Sequence, residues 1–267
     1  MRSKLLRRLS ALLCFTALLR SNVASAAEVR VMISAGFLGV YSELAPEFER
    51  TTGHRLITIR GPSTGDSPEA IPTRLARGEG ADVVILEGGS ADELAKTGFV
   101  RTDSKVVLAL AQTGVVVRAG ATKPDISSVD LFRKALLSAR SIAYSDSGSG
   151  RFIVETMLPK LGIADQVSPK TRKVRGPPSG EPVAAVVARG ESQMGLQDVS
   201  ELIHVPGITY VGPIPAELDR HSTYAAAVTT KANEPGAAMA LIRLLASPEA
   251  ESIILKQGLT LPVRSTN

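Results

Sequence analysis

Four short stretches of this chain share one chemical character: Ser34-Ala35-Gly36, Gly61-Pro62-Ser63-Thr64-Gly65-Asp66-Ser67, Ser145-Asp146-Ser147-Gly148-Ser149-Gly150 and Pro178-Ser179-Gly180. Each is read as a loop that follows a strand and leads into a helix. The first N–H groups of a helix have no partner inside it and sit at the positive end of its dipole, which suits them to an anion. The hydroxyls of Ser34, Ser63, Thr64, Ser67, Ser147, Ser149 and Ser179 add donors that rotate to fit. Gly36, Gly150 and Gly180 let the backbone approach a ligand closely. The plainer reading of any one serine is a helix cap; four such loops together point to a binding site. Arg60, Arg151 and Arg175 stand beside three of these loops, and a guanidinium matches carboxylate or phosphate geometry. Arg151 falls in the first turn of a helix, where a cation opposes the dipole unless a ligand needs it.

Other chemistries find little support. Gly148-x-Gly150 lacks the third glycine and the distant acid of a dinucleotide site, and there is no Walker loop. No serine has a nucleophile-elbow context. His54, His204 and His221 lack metal-ligand spacing, so neither a metal nor a cofactor is expected. Aromatic residues make up 4% of the chain and Trp is absent, which argues against stacking platforms for sugars or single-stranded nucleic acid.

The elements that must position the loops alternate. Strands are expected at 29–33, 56–59, 81–86, 141–144, 193–196, 208–211 and 224–229, and Val106 to Arg118 reads as one long extended run. Helices are expected at 37–51, 68–76, 91–96, 129–139, 152–161, 183–188, 235–245 and 248–256. This order predicts an α/β protein with two lobes, each a mostly parallel sheet flanked by helices, and a ligand cleft beyond the carboxyl ends of the strands. Extended segments near 106–118 and 222–230 are expected to pass between the lobes, with the last two helices returning to the first. The division is 1–27 as leader, 28–110 plus 222–267 as lobe 1, and 111–221 as lobe 2.

The N-terminus reads as a secretory signal: basic Arg2, Lys4, Arg7 and Arg8, an apolar run from Leu9 to Leu19, then Ala24-Ser25-Ala26. The run is too short for a spanning anchor. The formal charge of +5 belongs to this leader, because five of the 31 basic residues precede Glu28 and none of the 26 acidic ones does. The remaining chain is formally neutral, which removes the electrostatic argument for nucleic acid or membrane partners. Cys14 is the single cysteine, so the exported chain has no disulfide, thiol nucleophile or thiolate metal site. These features predict a periplasmic monomer without stable membrane insertion once the leader is cut.

At family level, the order of several motifs resembles the periplasmic molybdate-binding proteins of ABC importers, over nearly all of the chain after the leader. They are Val31 to Gly39, Phe48-Glu49-Arg50-Thr51-Thr52-Gly53, Ile71 to Val83, Gly148-Ser149-Gly150-Arg151, Leu158-Pro159-Lys160-Leu161-Gly162, Val187-Ala188-Arg189-Gly190-Glu191 and Pro248-Glu249-Ala250. The resemblance implies a class II periplasmic binding protein fold that binds a small anion, carboxylate or oxyanion, for a membrane permease. Two departures concern the ligand. Gly36 stands where molybdate binders carry a serine, and Leu196-Gln197-Asp198-Val199-Ser200 lacks their tyrosine. Gly61-Pro62-Ser63, Ala143-Tyr144-Ser145-Asp146-Ser147 and Gln197 with Val199-Ser200-Glu201-Leu202 are similar to the aconitate isomerase branch of the same scaffold. That branch implies an alternative function: interconversion of cis- and trans-aconitate by proton transfer. Arg60, Arg151 and Arg175 would clamp carboxylates, Gln197 would join the ligand site, and Asp146, Glu181 or Asp198 would be the base.

Overall fold

The first strand and helix show how this sequence builds its lobes. β1 (Glu28–Ile33) alternates exposed and buried residues and then becomes wholly buried. The helix Ala35–Thr52 that follows turns Phe37, Val40, Tyr41, Leu44 and Phe48 inward, a three-four spacing that forms one apolar face. It stops at Gly53, whose left-handed φ of 73° lets its N–H reach back to the Glu49 carbonyl at 2.9 Å. The structure, a computed structural model, describes residues 26–220 and 222–262. The expected leader and His221 lie outside the described residues.

β1 pairs in parallel with β2 (Arg55–Arg60) and β3 (Val83–Glu87). The last strand, β10 (Ser222–Val228), runs antiparallel between β3 and β4 (Val106–Ala111), giving the order β2-β1-β3-β10-β4. A second sheet has the order β7-β6-β8-β5-β9. In it β6 (Ile142–Ser145) pairs in parallel with β7 (Thr171–Val174) and β8 (Met194–Asp198), while β5 (Thr113–Arg118) runs antiparallel to β8 and to β9 (Ile208–Pro213). The two halves thus share one plan: three strands paired in parallel, a fourth antiparallel to them, and an edge strand that runs in the direction of the first three.

The long run from Val106 to Arg118 is therefore two strands in different sheets, separated by Gln112. The chain returns between Pro213 and Ser222. Each sheet carries apolar clusters on both faces. Phe37, Leu44, Leu241 and Ile254 belong to one, so the helices Pro235–Leu245 and Pro248–Lys256 cover the first sheet. Phe132, Met157 and Leu196 belong to a cluster on the second sheet, and Val116, Val183 and Val187 to the cluster on its opposite face.

Local differences from the sequence reading have identifiable causes. The stretch around Pro68 is a series of bends, and the helix begins at Ile71 with Pro72 in its first turn, where a missing N–H costs nothing. The helix expected at 91–96 begins at Gly88. Its start packs on β10, where a side chain at position 88 would meet the Thr223 hydroxyl at 2.1 Å. The helix expected from Phe152 begins four residues earlier, at Gly148, and passes through a π-turn over Ile153–Met157 before ending at Lys160. Buried Asp82 ties strands to the C-terminal helices, accepting the Arg30 N–H at 2.7 Å and the Glu234 N–H at 2.9 Å. Among the described residues, no helix is long and apolar enough to cross a membrane.

Candidate functional site

The carboxyl ends of the parallel strands in both sheets converge on one narrow cleft. From the first sheet it is lined by Ser34 and Gly36 after β1, Gly61 and Ser63 after β2, and Glu87 at the end of β3. From the second sheet come Ser145, Asp146 and Ser147 around the end of β6, Gly176 after β7, and Gln197 in β8. Glu201 and Tyr224 complete the wall.

Hydroxyls form the first part of the site. Ser145, Ser147 and Ser149 make a triangle with Oγ–Oγ distances of 2.6 Å and 3.1 Å. The helix that begins at Gly148 is pressed onto β6, since a Cβ on Gly150 would lie 1.6 Å from the Ser145 carbonyl oxygen. Ser63 Oγ accepts the Glu87 N–H at 3.1 Å. Ser34 Oγ and Gln197 Oε1 are buried in the cleft wall with no protein partner. Buried polar atoms are normally satisfied, so these two are the ones a bound ligand would complete.

Carboxyl groups form the second part. Arg220, on the stretch that returns to the first sheet, gives Nη2 to Glu87 Oε1 and to both oxygens of Asp198, each at 3.0 Å. It bridges the two sheets, since Glu87 ends β3 and Asp198 ends β8. Burial works against the Arg220 cation, but the Asp198 and Glu87 carboxylates more than offset it and hold its pKa above the ordinary value. Tyr224 donates its hydroxyl to Asp198 Oδ2 at 2.9 Å, and burial followed by the neighbouring carboxylates raises its pKa well above the usual phenol range. Burial also raises the pKa of Glu87, against the opposing pull of Arg220. Glu201 accepts Gln197 Nε2 at 2.7 Å, and burial, then the charges of Asp198 and Glu87, push its carboxyl up to about 8. At neutral pH it is mostly protonated.

The cleft brings together Ser34, Gly36, Ser63, Ser147 and Gln197 from the sequence expectations, with Ser149 and Gly150 directly behind Ser145. Thr64 and Arg151 line an adjoining open pocket that shares Ser63 and Glu87 with the cleft. Arg60 is exposed outside it. Arg175 and Ser179, after β7, reach Glu69, which lies between β2 and β3, Ser179 donating to Glu69 Oε2 at 2.6 Å and Arg175 standing 4.0 Å away. Gly180 packs against the Arg175 carbonyl, and Ser67 is outside the cleft lining.

Of the three candidate bases, Asp146 lines the cleft and accepts the Gly176 N–H at 3.0 Å. Asp198 is buried behind the wall with both oxygens engaged. Glu181 lies on the surface, where a two-armed pair with Arg189 at 2.6 Å and 2.8 Å holds its pKa low.

Glu87, Arg220 and Tyr224 escaped the sequence reading, and Glu201 entered it only within a motif, not as a site residue. Glu87 had a signal: a carboxylate closing four buried apolar residues and followed by Gly88-Gly89, the same strand-loop-helix pattern as the four loops above. Gly36 also gains a structural reason. A Cβ there would lie 1.7 Å from the Tyr224 hydroxyl oxygen, so the phenol occupies the space a side chain at 36 would need.

Comparison with known proteins gives a consistent picture. Residues 29–260 match the model of a family described as bacterial extracellular solute-binding protein. An aconitate isomerase from Pseudomonas sp. is 44% identical over 229 residues, covering 86% of each chain. A molybdate-binding protein from Azotobacter vinelandii is 27% identical over 88% of this chain and 90% of its own. The solved periplasmic molybdate-binding protein of that organism superposes with a TM-score of 0.70 at 22% identity, covering 88% of this chain and 100% of its own.

Proposed function

The chain belongs to the bacterial extracellular solute-binding protein family, and from that premise we propose that its cleft is an active site: a cofactor-free isomerase that moves a proton within a small polycarboxylate, with aconitate as the substrate. The observation that carries this reading is that Glu87 and Glu201, both with raised proton affinity, line the same cleft as the serine hydroxyls. A general base works best when its pKa approaches the working pH. The 44% identity to an aconitate isomerase supports the same reading.

A passive receptor makes no use of a group that takes up a proton. A carbon acid instead needs a proton acceptor beside it.

In the proposed reaction Glu87 takes a proton from the methylene carbon of the substrate. The C–H electron pair spreads over the three-carbon allylic system and the carboxyl group conjugated with it. Glu87 then returns the proton to the former alkene carbon, the double bond shifts by one position, and the proton count is restored. No oxidant or reductant is required. Arg220 holds the Glu87 carboxylate in place. Ser34, Ser63, Ser145 and Ser147 hold substrate carboxylates, and Glu201 keeps a proton at the far wall. The moving bodies are taken as 28–110 with 222–267 and 111–221, and Glu69, Arg175 and Ser179 join them at the rim when the cleft shuts. The enzyme would act in the periplasm, as a monomer, after its leader is removed.

One observation favours a second reading. The unpartnered Ser34 hydroxyl and the other cleft serines form a neutral cradle suited to an oxyanion delivered to an importer. Proton NMR of trans-aconitate incubated with the purified protein separates the two. Growth of the cis-aconitate vinyl signal above the protein-free rate supports the isomerase. An unchanged spectrum, together with stabilisation by molybdate, would establish the receptor instead.

A further inference from the structure

Tyr224 faces the cleft with its hydroxyl hydrogen already used. The phenol donates to Asp198 Oδ2 at 2.9 Å, and that carboxylate in turn takes Arg220 through both oxygens. Tyr224 is 2% exposed and stacks at a tilt against Phe37, with ring centres 6.3 Å apart, so the ring is held in place. Its oxygen packs against Gly36 at the start of the helix Ala35–Thr52, where any side chain would collide with it, and both residues line the cleft. What Tyr224 offers a ligand is therefore lone pairs only.

We propose that the Gly36–Tyr224 wall is a specificity element that accepts a hydrogen bond from the ligand, selecting molecules that carry a hydroxyl or a still-protonated acid over fully ionised anions. The charged and titratable groups around this wall reinforce the choice. Glu87 from β3, Asp146 after β6 and Asp198 from β8 bring acidic oxygens, while Glu201 stands on the far wall, Arg220 is committed to Glu87 and Asp198, and Arg151 stands in the adjoining pocket. The serine hydroxyls can serve an ionised guest elsewhere in the cleft, but at the Tyr224 oxygen such a guest has no hydrogen to give, and an unmatched buried acceptor is costly. A guest that brings a hydrogen satisfies Tyr224. For a carbon acid the same arrangement has a chemical benefit, because a carboxyl kept protonated makes its neighbouring C–H easier to remove.

The inference deepens the isomerase reading by naming the form of ligand the cleft takes, but its test needs no turnover. Two matched pairs of probes differ mainly in a donor: phosphate against sulfate, and citrate against tricarballylate. Titration calorimetry at pH 6.5, where phosphate carries hydrogen and sulfate none, should show the donor-bearing member binding about tenfold more tightly in each pair. Tyr224→Phe should shrink both ratios toward one, and the wild-type ratios stand alone if that variant fails to fold. Equal affinities within both pairs, or tighter binding of sulfate and tricarballylate, would overturn the inference. None of the four probes can isomerise. Lost preference with intact turnover would therefore refute this wall's role alone, and intact preference without turnover would refute the isomerase alone.

Discussion

Replacing Gly36 with serine tests the packing of the cleft wall in one step. The backbone at 36 is ordinary helix, so only space is at issue. The new Cβ would fall 1.7 Å from Tyr224 Oη and 2.2 Å from Cζ, and the ring must move. Overpacking of this kind costs about 1–3 kcal/mol. Moving the ring also breaks the hydrogen bond to the Asp198 carboxylate, and losing such a charged bond costs about 1.5–3 kcal/mol. The expected total is about 4 kcal/mol, or about 8–16 °C in melting temperature for a chain of this size. Urea unfolding of Gly36→Ser, Tyr224→Ala and the double variant gives the coupling between the two sites. In the Tyr224→Ala background, where the ring is gone, Gly36→Ser should cost less than about 1 kcal/mol. A cost that is the same in both backgrounds, or a single variant as stable as wild type, would refute the assignment of Gly36 to Tyr224.

Two further outcomes follow from the buried acids. Glu201 has a folded pKa of about 8, above its unfolded value, so its contribution to stability is full below the unfolded pKa and is lost as pH rises through about 8. Glu201→Gln does not titrate and should match wild type near pH 4.5, then exceed it by a few kcal/mol at pH 8; urea midpoints at both pH values check this, and a gap independent of pH would contradict it. Arg220→Met strands Glu87 and Asp198 without their cation, and breaking such a buried network should cost about 3–5 kcal/mol by the same assay. A loss below about 1 kcal/mol would mean that the triad does not hold the two sheets together.

Much of the scaffold was legible because local rules fix it. Alternating strand and helix patterns, with proline at helix starts and glycine at helix ends, locate most elements to within a few residues. The join at Gln112 was not legible, since an extended run reads the same whether it stays in one sheet or passes between two. The serine loops were legible as candidates because their chemistry is local. The acid cluster was not: Arg220 is 133 positions from Glu87 and 22 from Asp198, and nothing in either neighbourhood signals the other. Gly36 shows both sides of this. Its departure from the expected serine is visible in sequence, but its reason lies in Tyr224, a residue distant in the chain.

The most direct test of proton transfer in the cleft is the rate at which purified Glu87→Gln converts trans-aconitate to cis-aconitate beside wild type. Glutamine keeps the length and a hydrogen-bonding head but cannot take a proton, so turnover should fall by about 10²–10⁴-fold while tricarballylate still binds. Wild-type turnover in a folded Glu87→Gln protein would contradict the assignment of Glu87 as the base.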